Sequence, residues 1–211
     1  MSFTFRNVSK HFGSLVAIDR LSMTFDPGMI YAIIGPNGAG KSTLVNMAAG
    51  SYSVSSGSIL FDEMPLEGRK KYEINLAGIA RTYQNIRLFD QMTVIENLEV
   101  ALAPSALART WREVLWPSYA ATAQAARRRT CLRVLEEFDL AEVADVEARR
   151  LPYGRQRMLE IARALVRPPC VLLLDEPAAG LNALETAILK ERLGQLRRAD
   201  LVMIVIEHDM D

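Results

Sequence analysis

Apolar positions along the chain follow two different periods, and the switch between them divides it. From Phe3 to Phe25 they alternate loosely with polar ones (Phe3, Phe5, Val8, then Leu15, Ala17, Ile18, Leu21, Met23 and Phe25), as in strands covered on one face. Asp26-Pro27-Gly28 is a turn by residue type, because proline presets φ and glycine accepts positive φ. Ser58 to Phe61, bracketed by Ser55-Ser56-Gly57 and Asp62-Glu63, is a further short strand able to join this hairpin-rich sheet. Ile30 to Ile34, Val171 to Leu174 and Leu201 to Ile206 are instead continuously apolar. That pattern predicts a parallel α/β sheet whose strands are covered by helices on both faces. Ile79 to Tyr83 is another short strand.

Between about Ile86 and Arg157 the pattern is helical. Thr93-Val94-Ile95-Glu96 fits a capping box, and Val94, Leu98, Ala101 and Leu102 share one face before Pro104 stops the run. Ala120 to Phe138 predicts a second, longer helix. Between them Trp111, Trp116 and Tyr119 flank Pro117, aromatics that suit packing inside a small helical lobe, with a membrane or partner contact as the alternative. From Leu151 another helix carries Met158, Ile161, Ala162, Leu165 and Val166 on one face. The expected layout is a core over about 1–85 and 158–211, with an inserted helical subdomain over about 86–157.

Composition narrows the class. The 211 residues, half of them apolar, suffice for one sizeable core, and 25 basic residues balance 25 acidic ones, so no global charge draws the chain to nucleic acid. No apolar run approaches the roughly 20 residues of a membrane-spanning helix, and the N-terminus lacks the pattern of a signal peptide; a cytoplasmic chain is expected. Cys131 and Cys170 stand far apart, as core-filling thiols in a reducing compartment would. Arg127-Arg128-Arg129 reads as a solvated helix face, with lipid headgroups the alternative.

The chemistry begins at Gly35-Pro36-Asn37-Gly38-Ala39-Gly40-Lys41-Ser42-Thr43, between an apolar strand and a helix. Glycines there let backbone N–H groups line a phosphate-sized hollow, Lys41 adds a positive charge, Ser42 offers a hydroxyl to Mg²⁺, and the helix N-terminus points at the same anion. Asp175-Glu176 follows the Val171 run, at the sheet edge where ligands of such folds bind. Asp175 is placed to hold Mg²⁺ through water and Glu176 to face an attacking water; a helix-capping acidic pair is the bland alternative. His208 follows the Leu201 run and so reaches the same edge, where an imidazole can bridge phosphate and water. Gln84, closing the Ile79 strand, has an amide able to reach both Mg²⁺ and water. Phe12 is suited to stack on an adenine, with core burial nearly as good an account of it. The start of the Leu151 helix is a second potential anion site.

Taken together these motifs resemble the ATP-binding cassette subunits of ABC transporters over essentially the whole chain. Gly35 to Thr43 looks like Walker A, Gln84 the Q-loop, Leu151 to Gln156 the signature, Val171 to Glu176 Walker B, Gly180-Leu181-Asn182 with Ala179 the D-loop, and His208 the switch histidine. Within the family, Ala80 to Phe89, Met92 to Leu98, Leu159 to Leu165 and Glu207-His208-Asp209-Met210 resemble the subunit of branched-chain amino-acid importers; importers of amides or urea share much of this wording. The resemblance implies a P-loop NTPase (RecA-like) core with a parallel sheet, an N-terminal antiparallel β subdomain and the helical insertion. It also implies ATP and Mg²⁺ as cofactors, and ATP gripped between one subunit's Walker A and the signature of a second, usually different, cassette. Two membrane-spanning permease subunits, a periplasmic binding protein and a place on the cytoplasmic face of the bacterial inner membrane complete the expectation. The signature departs from the family's Ser-Gly-Gly-Gln: Pro152-Tyr153-Gly154-Arg155 stands there, followed by Gln156, so backbone N–H groups and Arg155 must take over the serine's contact with the partner's nucleotide. The chain also stops sooner after His208 than the family usually does, and a cassette that binds ATP without turning it over is therefore a second expectation. A coiled-coil mechanical ATPase lacks its heptads here, and a metabolic P-loop kinase would not account for Gln84, the signature and His208 together.

Overall fold

The computed structural model describes residues 2–102 and 117–207, apart from the side chains of 117–120. Trp111, Trp116, the Tyr119 side chain and His208 lie outside the described residues. The chain forms two units, 1–85 with 169–211, and 86–168.

The first unit holds two sheets. Strands β1 (Phe3–Phe12), β2 (Leu15–Phe25), β4 (Ser56–Phe61) and β5 (Met64–Pro65) form a four-stranded antiparallel sheet in the order β2-β1-β4-β5. Phe3, Phe5 and Val8 alternate onto its buried face, and Phe3, Phe5 and Phe25 pack ring on ring with centroids 5.4–6.1 Å apart. The second sheet is parallel, in the order β3 (Ile30–Ile34), β8 (Val202–Glu207), β7 (Val171–Asp175), β6 (Ile79–Arg81). Helix α1 (Lys41–Ala48) supplies Leu44, Val45, Met47 and Ala48 to a core shared with Phe3, Phe5 and Ile59 of one sheet and Val171, Leu173 and Ile204 of the other. A short helix α2 (Lys71–Leu76) contributes Ile74 to the same core.

The parallel sheet corrects one expectation. β7 is buried throughout, as its apolar run predicts, but β3 is half-exposed along its length, with Ile30 and Ile34 about 40% accessible. Among the described residues β3 pairs only with β8, so a continuous apolar run here marks an edge strand rather than one covered on both faces.

The second unit is helical: α3 (Val94–Leu102), α4 (Pro117–Glu137) and α5 (Tyr153–Leu165), with two single 3₁₀ turns between α4 and α5. The capping box at Thr93 forms as expected, Thr93 N donating to Glu96 Oε2 at 2.8 Å and Glu96 N to Thr93 Oγ1 at 3.3 Å. Helix α5, which the expected boundary after Arg157 divides, groups whole with this unit. Its face explains why: Arg157 and Glu160 form a buried 2.8 Å ion pair, and Glu160 accepts the backbone N–H of Arg87. Arg128, within the triple-arginine stretch, pairs with Asp145 and Glu99.

Candidate functional site

Pairing across the parallel sheet sets the site. Ile34 is level with Glu207 and Asp175 with Ile206, so the carboxyl ends of β3, β8 and β7 come out at one edge. The loop from Gly35, the Asp175-Glu176 pair and the exit of β8 toward His208 all start there. Arg81 is level with Leu173, so the chain leaving β6 reaches the same edge with Gln84.

The glycine loop has the backbone its sequence requires. Gly38 and Gly40 both have φ 84°, a left-handed conformation that side chains resist. A Cβ on Gly40 would lie 2.6 Å from the Ala17 carbonyl oxygen, so glycine is required there for packing as well as for φ, whereas the space beside Gly38 is open. Gly40 caps α1, whose first turn has no acidic residue and no side-chain cap, leaving its N–H groups to an anion. Lys41 is buried, its ammonium donating to the carbonyl oxygens of Gly35 at 2.5 Å and Pro36 at 3.0 Å. The charge is thus held across the mouth of the loop. Ser42 is exposed next to it.

Each carboxylate of the β7 pair has its own restraint. Asp175 Oδ2 accepts from Arg81 Nη2 at 2.9 Å, both side chains less than a tenth exposed, while Asp175 Oδ1 is buried without a hydrogen-bond partner. Glu176 is 5% exposed, has φ 49°, and its Oε2 accepts from Gln84 Nε2 at 2.9 Å. The left-handed backbone turns successive carboxylates apart; such strain survives only where the surroundings enforce it, and here Glu176 N donates to the Ile206 carbonyl at 3.0 Å. Asp175 Oδ1 is a buried acceptor lacking a donor, and it and the Ser42 hydroxyl are oxygen donors of the kind Mg²⁺ takes, directly or through water. No cluster of three or more His, Cys, Asp or Glu that would hold a metal by itself occurs among the described residues.

Phe12 is 42% exposed at the β1–β2 turn, so it is not a core residue. It meets Tyr52 edge to face at 5.4 Å, with Lys10 Nζ 4.9 Å from its ring centre. Asn182, of the Gly180-Leu181-Asn182 stretch, caps helix α6 (Ala183–Gln195) through a reciprocal capping box with Glu185. In the helical unit Pro152 is the cap of α5, Tyr153 and Arg155 are exposed in its first turn, Gly154 is buried, and Gln156 Nε2 donates back to the Leu151 carbonyl at 2.9 Å. Arg81 and Asn46 are the residues without an assigned role in the sequence reading. Arg81 Nη1 donates to Asn46 Oδ1 at 2.7 Å, and Asn46 Nδ2 to the Ser42 carbonyl at 2.7 Å.

The family model described as "ABC transporter" matches residues 18–179. The high-affinity branched-chain amino acid transport ATP-binding protein LivG of Escherichia coli is 42% identical over 200 residues, 94% of this chain and 78% of that one. Its counterpart BraF of Pseudomonas aeruginosa is 38% identical over 208 residues, 96% and 80% of the two chains. The crystal structure of the ADP conformation of MJ1267, an ATP-binding cassette of an ABC transporter, superposes with a TM-score of 0.83 at 28% identity, covering 100% of this chain and 83% of that one.

Proposed function

The chain belongs to the ABC transporter family, and on that premise we propose that it is the ATP-binding and ATP-hydrolysing subunit of an importer of branched-chain amino acids. The observation that carries the catalytic part is the edge of the parallel sheet. There the glycine loop, the Asp175–Arg81 pair and the Glu176–Gln84 pair converge.

The loop N–H groups from Gly35 to Gly40 and the first turn of α1 bind the phosphates, and Lys41 exchanges its carbonyl partners for their oxygens. Phe12 stacks on the adenine. Glu176 accepts the proton of the attacking water, which general-base catalysis makes worth roughly 10²–10⁴ in rate, and the Gln84 amide orients the carboxylate. His208 contacts the last phosphate. Ser42, Gln84 and, through water, Asp175 would hold Mg²⁺, which would supply positive charge beside the phosphoryl oxygens. A second cassette presents its signature to this nucleotide, as Pro152 to Gln156 present theirs to the partner's, and Gly180-Leu181-Asn182 lies beside the join. Two permease subunits and a periplasmic solute-binding protein complete the assembly at the inner membrane. No helix among the described residues is long and apolar enough to cross a membrane.

The solute rests on the names of LivG and BraF. Reconstitution of the full-length protein with its permease and cassette partners in vesicles tests it: ATP should drive uptake of leucine, isoleucine or valine, and Lys41→Ala should abolish that uptake. Transport of an amide or of urea in their place would replace the solute and leave the ATPase assignment standing.

A further inference from the structure

We propose that Arg81 is the positioning residue of the metal–nucleotide site, tying together the two segments that carry its oxygen ligands. The proposal deepens the ATPase reading and rests on it. The Arg81 side chain is 8% exposed and held at four points: Asp175 Oδ2 at 2.9 Å, Asn46 Oδ1 at 2.7 Å, the Thr82 carbonyl at 3.2 Å, and the Tyr83 ring, 4.9 Å from the guanidinium. Only a planar fork with several donors spans such acceptors at once; a lysine offers a single point.

The two side-chain acceptors sit on the elements that frame the site. Asp175 ends β7, and Asn46 lies on α1 one turn beyond Ser42, whose carbonyl its own amide holds at 2.7 Å. The path Ser42, Asn46, Arg81, Asp175 therefore sets the separation between the Ser42 hydroxyl and the Asp175 carboxylate. Arg81 engages one carboxylate oxygen only, and the other, buried and without a partner, is left for the metal's shell. Rotating the carboxylate would break a buried ion pair, so the free oxygen stays aimed. Three residues on, the same chain exit holds Glu176 through Gln84, and the two carboxylates of the site are thus oriented from one strand.

Arg81 also offsets the Asp175 charge, so its removal has two opposed effects on a cation: one positive charge fewer nearby, and a carboxylate no longer held. The second governs. A carboxylate deprived of the partner that fixes its rotation is free to turn, and turning withdraws its oxygen from the metal. Loss of partners that orient metal ligands lowers metal affinity by roughly 10–100-fold.

The test uses Mn²⁺ as a spectroscopic stand-in for Mg²⁺ on the full-length protein, wild type against Arg81→Gln, Arg81→Lys and Asn46→Ala. Electron paramagnetic resonance at saturating ATP reads the Mn²⁺ concentration giving half-maximal bound signal, and calorimetry in EDTA reads metal-free ATP affinity. For Arg81→Gln the Mn²⁺ midpoint should rise about 10–100-fold while metal-free ATP affinity stays within about twofold. Arg81→Lys should recover part of the loss, and Asn46→Ala, which leaves the ion pair but releases it from α1, should raise the midpoint by a smaller factor. An unchanged midpoint in Arg81→Gln, or an equal loss of metal-free ATP binding, overturns the proposal; if that variant does not fold, an unchanged midpoint in Asn46→Ala overturns it. A wild-type protein that binds neither ATP nor Mn²⁺ overturns the ATPase reading itself, and this proposal with it.

Discussion

Gly38 and Gly40 share a φ of 84°, yet alanine at the two positions should have different consequences. Both substitutions place a Cβ in a left-handed conformation, at a cost of about 1–2 kcal/mol. At Gly38 nothing else is met, because no heavy atom lies within 4 Å of the added carbon. At Gly40 the carbon would lie 2.6 Å from the Ala17 backbone oxygen and 3.3 Å from Ile18 Cγ1, so β2 must shift, which adds about 1–3 kcal/mol by analogy with overpacked cores. Urea unfolding followed by circular dichroism should therefore give a loss of about 1–2 kcal/mol for Gly38→Ala and about 2–5 kcal/mol for Gly40→Ala. Affinity should rank them differently. Under the proposed phosphate-binding role of the loop, a Cβ in the open space beside Gly38 intrudes on the hollow, so Gly38→Ala should weaken ATP binding by at least about tenfold, the equivalent of roughly 1.4 kcal/mol, despite its smaller stability loss. Equal stability losses would refute the close approach of β2 to the loop, and undiminished ATP binding by Gly38→Ala would refute the hollow.

Arg155→Ala should lower ATPase of the assembled transporter roughly tenfold or more while leaving ATP binding by the isolated subunit intact, since the contact proposed for it is with the partner's nucleotide; unchanged turnover would remove Arg155 from that role. Asn97 is fully buried and clamps Phe89 through both its amide groups, at 2.9 Å to the Phe89 N–H and 3.1 Å to its carbonyl, and it also donates to the Thr93 carbonyl at 3.0 Å. Asn97→Ala should cost about 2–4 kcal/mol in urea unfolding, because buried backbone groups lose their partners, and a loss below about 0.5 kcal/mol would contradict the clamp. Burial pushes the Cys131 thiol up to about 11. At pH 8 its thiolate fraction is then about one in a thousand, so iodoacetamide should label Cys131 in the folded protein about a hundredfold more slowly than in urea; equal rates would show the thiol exposed.

The parallel sheet, the glycine loop and the acidic pair were legible because each depends on local pattern: an apolar run, glycines where φ must be positive, carboxylates at a strand's end. The edge position of β3 was not, since an apolar run says nothing about which neighbours a strand finds. Helix α2 has six residues, too few for a helical period to show. The contact of α5 with Arg87 depends on Glu160, a long-range partner no window contains. Arg81 did leave a signal: an arginine closing a short apolar strand is almost never buried unless paired, and the partner it needed was the aspartate closing the neighbouring strand.

The account stands on Glu176 as the base that draws a proton from water while Lys41 and the loop hold the phosphates. Steady-state ATPase and nucleotide retention of the assembled transporter carrying Glu176→Gln test it most directly. The geometry predicts that ATP stays bound and turnover falls by roughly 10²–10⁴. Turnover at the wild-type rate would contradict it.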